Sequence, residues 1–335
     1  MNILFTCAGR RRYLLIYFKE ALKDEGIIVA TDMQFSAPAL SAADFSEKVP
    51  DIYNAEYIDA TIAVCEKYHI DALISLNDLE LPILAECRAR FEEIGVQLVV
   101  SSQKVIDICF DKYETAKFIT SIGLSVPKTF VNYGQAVEAI KAGELHFPLV
   151  LKPRWGSGSI GIEFVEDMEE MDMIYRLLLK KVKKSILSQT SVGDEYILIQ
   201  EKIEGPEYGL DVMNDLKGNH VAVSVKRKLT MRAGETDKAI TVDNVAVREM
   251  GTCIGQNLKH IGNLDCDILE QEGKFYVLEL NPRFGGGYPF SQEAGVNMPK
   301  AIIEWLKGND INASILRPIS GKAFAKCDYL VKVEN

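Results

Sequence analysis

The first hundred residues constrain the fold most, because short apolar runs alternate there with stretches of helical spacing. Asn2–Thr6, Ile27–Thr31, Ala72–Ser75 and Gln97–Val100 read as short buried strands, and Arg12–Glu25, Ile58–Tyr68 and Leu81–Ile94 as the helices between them. Parallel neighbours need a crossover, usually a helix, so this rhythm predicts a parallel sheet with helices on both faces. Ligands of such sheets sit beyond the carboxyl ends of the strands. Those ends carry Cys7–Arg10, Thr31–Asp32 and Leu76–Asp78. Cys7–Arg10 does not satisfy G-x-G-x-x-G, so it reads as a glycine turn opening a helix, with Arg10–Arg12 exposed and a substrate contact left open.

Near residue 110 the pattern changes. Asp111–Ile122 is an amphipathic helix capped by Asp111 and closed by Gly123. A strand (Lys128–Val131), a helix (Gln135–Ala142), a strand (Pro148–Lys152), a Gly-rich turn and a strand (Gly161–Val165) follow, then a helix (Met168–Lys184) and a loop (Ser185–Glu195). From Tyr196 strands dominate: Tyr196–Glu201, Glu207–Asn214, His220–Arg227, Asn263–Leu269 and Phe275–Leu280. Helices at Val245–His260 and Lys300–Lys307 complete an α/β domain followed by an α+β domain. A chain of 335 residues has room for two or three domains.

Composition excludes some classes. A net charge of −10 argues against a nucleic-acid partner, which would require basic patches. Seven cysteines without C-x-x-C spacing read as reduced thiols. No run reaches the roughly 18–20 apolar residues of a membrane span, and MNILFTCAG is too short an apolar run for a signal peptide. The expected location is the cytoplasm, with no membrane partner.

Three segments carry chemistry. In Lys274–Arg283, Glu279 and Asn281 stand two residues apart and project from one face of a strand. The preceding strand holds Asp265 and Asp267. Acid-rich faces on neighbouring strands repel unless a cation lies between them, and magnesium takes such oxygen ligands. Arg283 follows where a phosphoryl oxygen could be gripped bidentately. In Leu151–Ile162, a strand delivers Lys152 into a loop with Gly156, Gly158 and Gly161; glycines admit phosphate to backbone N–H groups. In Gln200–Asp211, the backbone of Glu201 and Ile203 offers a purine an acceptor and a donor, and Glu207 could accept from ribose hydroxyls. Alone, the second and third would pass as ordinary hairpins.

Together, in this order and spacing, the segments resemble the ATP-grasp superfamily, and within it the ATP-grasp half of the carbamoyl phosphate synthase large subunit, together with its single-module relatives. The resemblance covers essentially the whole chain. It implies a Rossmann-like pre-ATP-grasp domain at 1–110, followed by an ATP-grasp fold with an N-terminal subdomain and Gly-rich lid at 111–195 and a C-terminal subdomain with the metal site at 196–335. By similarity, Lys112 and Lys152 contact ATP phosphates, and Gly156, Ser157, Gly158 and Ser159 form a lid over them. Glu201, Lys202 and Ile203 meet adenine, and Glu207 the ribose. Asp265, Glu279 and Asn281 form the metal set, for one or two magnesium ions or manganese, with Asp267 as alternate to Asp265. Arg283 steadies the transferred phosphoryl group. Lys226 and Arg232 lie where relatives turn basic groups towards the reacting centre, although an exposed basic hairpin explains them equally. Gly285–Gly287 reads either as a close approach to substrate or as a flexible turn.

The implied activity is that of a carboxylate–amine ligase. A carboxylate attacks the γ-phosphorus of ATP, and an amine then displaces phosphate from the acyl phosphate. The partners are a small carboxylate and an amine, with a homodimer open. One subunit of a split carbamoyl phosphate synthase, a small-molecule kinase and an ATP sensor are the alternatives.

Overall fold

Strands β1 (Ile3–Thr6), β2 (Ile28–Asp32), β3 (Phe45–Lys48), β4 (Ala72–Ser75) and β5 (Gln97–Leu98) form a parallel sheet in the order β3-β2-β1-β4-β5. The computed structural model describes residues 1–156, 161–184 and 195–333. β1 is the pivot. The chain winds outward through β2 and β3, then returns to the other side for β4 and β5, leaving a crevice at the carboxyl ends where the direction switches. β3 was not anticipated. It is an edge strand with three of its four residues exposed, so it carries no apolar signature. The helix expected at Leu81–Ile94 is two, Leu81–Glu86 and Arg88–Glu93, broken at Cys87.

Strands β6 (Thr129–Phe130), β7 (Leu149–Pro153), β8 (Glu163–Val165) and β9 (Ile197–Glu201) form a second, antiparallel sheet in the order β6-β9-β7-β8. β9 pairs with β7, so the division expected at 195 cuts through this sheet, and its last strand ends at Glu201. The loop expected at Ser185–Glu195 lies almost wholly outside the described residues.

Strands β10 (Glu207–Asn214), β11 (His220–Arg232), β12 (Glu235–Thr241), β13 (Gly262–Gln271), β14 (Lys274–Asn281) and β15 (Ala323–Ala325) form the third sheet, ordered β14-β13-β10-β11-β12-β15. β11 runs five residues beyond its expected end at Arg227 and pairs with β12, which was not anticipated. Val247, Ile254 and Leu258 of the helix Val245–Leu258 pack on it. So do Val105 and Cys109 of the helix Gln103–Phe110, and Ile119 of the helix Lys112–Ser121. The carboxylate of Asp111 caps the latter by accepting from the N–H groups of Tyr113 and Glu114, as the sequence implied. The helices Gln103–Phe110 and Lys112–Ser121 therefore belong by packing to the third sheet, although in sequence they precede the second.

The first and last parts share one core. Leu14, Leu15 and Phe18 of the helix Arg12–Leu22 pack with Phe284, Tyr288, Met298 and Ile302. The seven cysteines are free thiols. No helix among the described residues is long and apolar enough to cross a membrane.

Candidate active site

The second and third sheets face each other across a cavity of about 700 Å³. β7 delivers Lys152 to it, the end of β9 delivers Glu201, Lys202 and Ile203, and β10 delivers Glu207. Asp267 of β13 and Glu279 of β14 close the deep end, and Lys112 comes from the first turn of its helix. Residues more than a hundred and sixty apart thus line one space, as the three segments predicted. Val150, Ile162, Phe164, Leu269 and Leu278 supply apolar walls. Ile162 and Phe164 are exposed, Phe164 to 56 %, so this wall is open to receive a flat ligand.

Lys152 is buried, and no acid ion-pairs with it among the described residues. Burial, with the like charge of Lys112, lowers its pKa to about 8. Lys112 lies 4.0 Å from Glu279 and donates to the carbonyl of Gly156. Ser157, Gly158 and Ser159 lie outside the described residues. Ile203 N–H takes no hydrogen-bond partner among the described residues, as a donor to a purine edge must. The ammonium of Lys202 lies 2.6 Å from Glu204 and 5.4 Å from the centroid of the Phe164 ring.

The acid cluster has a geometry that the sequence left undecided. The β13–β14 register sets Asp267 opposite Glu279 and Asp265 opposite Asn281. Asp267 lines the cavity; Asp265 instead accepts from Arg283 at 3.1 Å. Each aspartate has a basic partner, Arg283 for Asp265 and Lys228 at 2.7 Å for Asp267, and of the two Asp267 is the one that lines the cavity. Burial, opposed by Lys228 and helped by the charges of Asp265, Glu207 and Glu279, raises the pKa of Asp267 to about 7. Lys228 balances part of this acid cluster, and a divalent cation would complete it. Among the described residues no three His, Cys, Asp or Glu side chains are gathered into a closed cage. Magnesium needs none, since one or two carboxylates plus nucleotide phosphates hold it. The oxygens of Asp267, Glu279 and Asn281 on paired strands fit that ion.

Several residues missed in the sequence complete the site. Lys228 sits 2.7 Å from both Glu207 and Asp267. Burial presses its pKa down, but these carboxylates overcome that and hold it above the ordinary lysine value. Gly209 on the neighbouring strand leaves room, since a Cβ there would lie 3.2 Å from the Lys228 side chain. The legible signal was the two-residue period from Lys226 opposite a glycine. Arg283 is fixed from two sides, 2.6 Å from Asp78 of the first domain and 3.1 Å from Asp265. Tyr13 has a buried hydroxyl without a hydrogen-bond partner among the described residues, near the charges of Arg11, Glu235, Arg283 and Asp265.

Lys226 and Arg232 of β11 have different surroundings. Lys226 is fully buried, its ammonium 2.5 Å from the equally buried Asp211. Arg232 is half-exposed at the β11–β12 tip and pairs with Asp237 and Asp328. Gly285–Gly287 is neither a free turn nor an open approach. A Cβ at these glycines would lie 2.1 Å from Asp265, 2.9 Å from Glu235 and 2.7 Å from Lys226.

Residues 3–99 match the PylC-like N-terminal domain family, and residues 194–323 match the family of ATP-grasp proteins in the biosynthetic pathway with Ter operon. The biotin carboxylase–β-γ-ATP complex of Campylobacter jejuni superposes with a TM-score of 0.74 over 93 % of this chain and 72 % of its own, at 19 % identity. The chain has an ATP-grasp fold. An L-amino acid ligase from Bacillus licheniformis has the same fold at a TM-score of 0.69, covering 96 % of this chain and 76 % of its own at 20 % identity. Among curated proteins, the carbamoyl phosphate synthase large chain of Campylobacter jejuni is 24 % identical over 301 residues, 86 % of this chain but 26 % of its own length. One subunit of the pyruvate carboxylase of Methanothermobacter thermautotrophicus is 26 % identical over 268 residues, 76 % of this chain and 52 % of its own. This chain thus spans from a quarter to a half of those two proteins.

Proposed function

We propose that this ATP-grasp protein is an ATP- and magnesium-dependent ligase that activates a carboxylate as an acyl phosphate for attack by an amine. One observation carries the reading. Phosphate-binding lysines, a purine-edge backbone and a carboxylate cluster suited to magnesium converge in one cavity large enough for a nucleotide. The carboxylases and ligase to which the chain is similar support carboxylate activation over other phosphoryl transfers.

In this mechanism Ile203 and Glu201 orient the purine, and Glu207, shared with Lys228, meets the ribose. Lys112 and Lys152 hold the phosphates. Asp267, Glu279 and Asn281 hold magnesium, which when bound neutralises phosphate charge and polarises the phosphoryl group. Arg283 supplies bidentate donors beside that centre, its plane fixed by Asp78 and Asp265. The carboxylate oxygen attacks the γ-phosphorus, ADP leaves, and the amine then displaces phosphate. The protein's contribution is position and electrostatics, so no nucleophilic side chain is needed. Small acids and amines are screened for release of phosphate from ATP. Free phosphate with a coupled product is expected. A stable phosphorylated metabolite would instead make the protein a kinase.

The lowered pKa of Lys152 gives a sign that calorimetry reads. Near pH 8 about half of the free protein carries Lys152 neutral. Nucleotide phosphates favour the ammonium, so binding raises its pKa and takes up as much as about half a proton there. ATP affinity is expected to fall as pH rises through 8. Titrations in buffers of different ionisation enthalpy measure the uptake, and buffer-independent heats would count against the phosphate role. Lys152→Ala removes the uptake and weakens ATP binding.

A further inference from the structure

A second cavity, of about 410 Å³, lies at the carboxyl edge of the first sheet, apart from the residues assigned above. We propose that it binds a ribonucleoside phosphate, with the ribose hydroxyls on Asp32, the base against the apolar wall beyond β2, and the phosphate at Arg10. This goes beyond the ligase reading and does not depend on it.

The cavity spans the turns that follow β1, β2, β3 and β4, at the switch point where open parallel sheets bind ligands. Nucleotide sites of this kind combine a tight turn after the first strand with an acid ending the second. The sequence lacks the glycine pattern, with Cys7 and Arg12 where the first and third glycines would stand. Yet Cys7 adopts φ +50°, the left-handed conformation for which a glycine is ordinarily chosen, and Gly9 follows at φ +52°. The turn has the backbone shape without the signature. Cys7 is itself no nucleophile, because burial and Glu80 hold its thiol well above the ordinary range.

Asp32 ends β2. Its Oδ2 accepts from the N–H of Gly9 at 2.9 Å and its Oδ1 from the N–H of Gln34 at 3.0 Å. Each oxygen is fixed by one bond and keeps acceptor capacity. No cation forms an ion pair with Asp32 among the described residues, although it lines the cavity. A carboxylate held in this way fits a pair of neighbouring hydroxyls. Beyond it Met33, Val49, Ile52 and Leu79 form an apolar wall, and Met33 and Phe35 are left 48 % and 50 % exposed at this edge. Exposed apolar side chains beside a fixed polar group suit a flat base attached to a sugar. Arg10 is the cation of the lining, with its side chain 82 % exposed and only a 3.6 Å surface pair to Asp328 to exchange for a phosphate.

The four ribonucleoside 5′-monophosphates and their 2′,3′-dideoxy counterparts are titrated by calorimetry into the full chain carrying Lys152→Ala, which impairs the large cavity. At least one ribonucleotide is expected to bind with one-to-one stoichiometry. Loss of both hydroxyls should weaken it by about tenfold or more, the scale of hydrogen bonds to a charged group. Asp32→Asn in the same protein should cause a similar loss, while Asp32→Asn in the otherwise unaltered chain leaves Mg–ATP affinity unchanged. Equal affinity for ribose and dideoxyribose forms would overturn the proposal without reference to any variant's folding. So would insensitivity to Asp32→Asn, or no binding by any of the four. Since no turnover is measured, a failure of the ligase reading leaves this result standing, and the reverse.

Discussion

Glu279→Gln lowers magnesium-dependent ADP formation by about 10³-fold, with the fold intact. Gln keeps the shape and one oxygen but removes the charge that faces the nucleotide phosphates. A metal acting as Lewis acid contributes several kcal/mol at the transition state, and each 1.36 kcal/mol is about tenfold in rate. Glu279 lines the cavity and stands opposite Asp267 across the β13–β14 ladder. Asp267→Asn should therefore be nearly as damaging. Asp265→Asn should act differently, because Asp265 faces Arg283 and packs against Gly285. It should leave ATP affinity close to that of the unaltered protein and lower turnover by loosening Arg283. Steady-state ADP release against magnesium concentration, with ATP binding measured separately, distinguishes the three. Equal loss of ATP affinity at 265 and 267 would return Asp265 to the metal set.

The same pair of acids shows how far the sequence could be read. Period-two alternation placed Asp265 with Asp267 on one face of their strand and Glu279 with Asn281 on one face of theirs, and that was sufficient to propose a metal. It could not supply the ladder register, because a shift by two residues leaves every side chain on the same face. The hairpin turn at Gly273, with a bulge between Asp267 and Ile268, fixes the register. Buried strands were legible because apolar runs are continuous. Exposed β3 and the far half of β11 were not, because polar pleats look like loops. Nor could the sequence show that Lys226, Lys228 and Arg232 have three different surroundings. Lys226 and Lys228 share a face but meet different acids on the neighbouring strands, and Arg232 lies beyond two irregularities in the β11–β12 pairing. Arg283 was visible, but its tie to Asp78 crosses between domains and has no local signal.

Lys226→Met destabilises the protein by about 3–5 kcal/mol, the scale for leaving a buried charge without its partner. Lys226 and Asp211 are both 0 % exposed. Asp211 also accepts from Ser291 and, at 3.1 Å, from Asn263, while Ser291 bonds Ser224 at 2.8 Å. These groups join β10, β11 and β13 to the helix Tyr288–Glu293 behind the Gly285–Gly287 turn. Met fills the space of the lysine stem, so the main loss is the unpaired carboxylate rather than a cavity. Combining it with Asp211→Asn removes that charge and should recover most of the stability, since two hydrogen-bonding neighbours remain for the amide. Urea midpoints of the two single variants and the pair give the coupling directly. ATP-dependent turnover separates structure from chemistry. A lysine that only supports the turn predicts a double variant within about tenfold of the unaltered rate. A lysine that contacts substrate predicts a stable double variant with almost no turnover, and that result would restore Lys226 to the reacting centre.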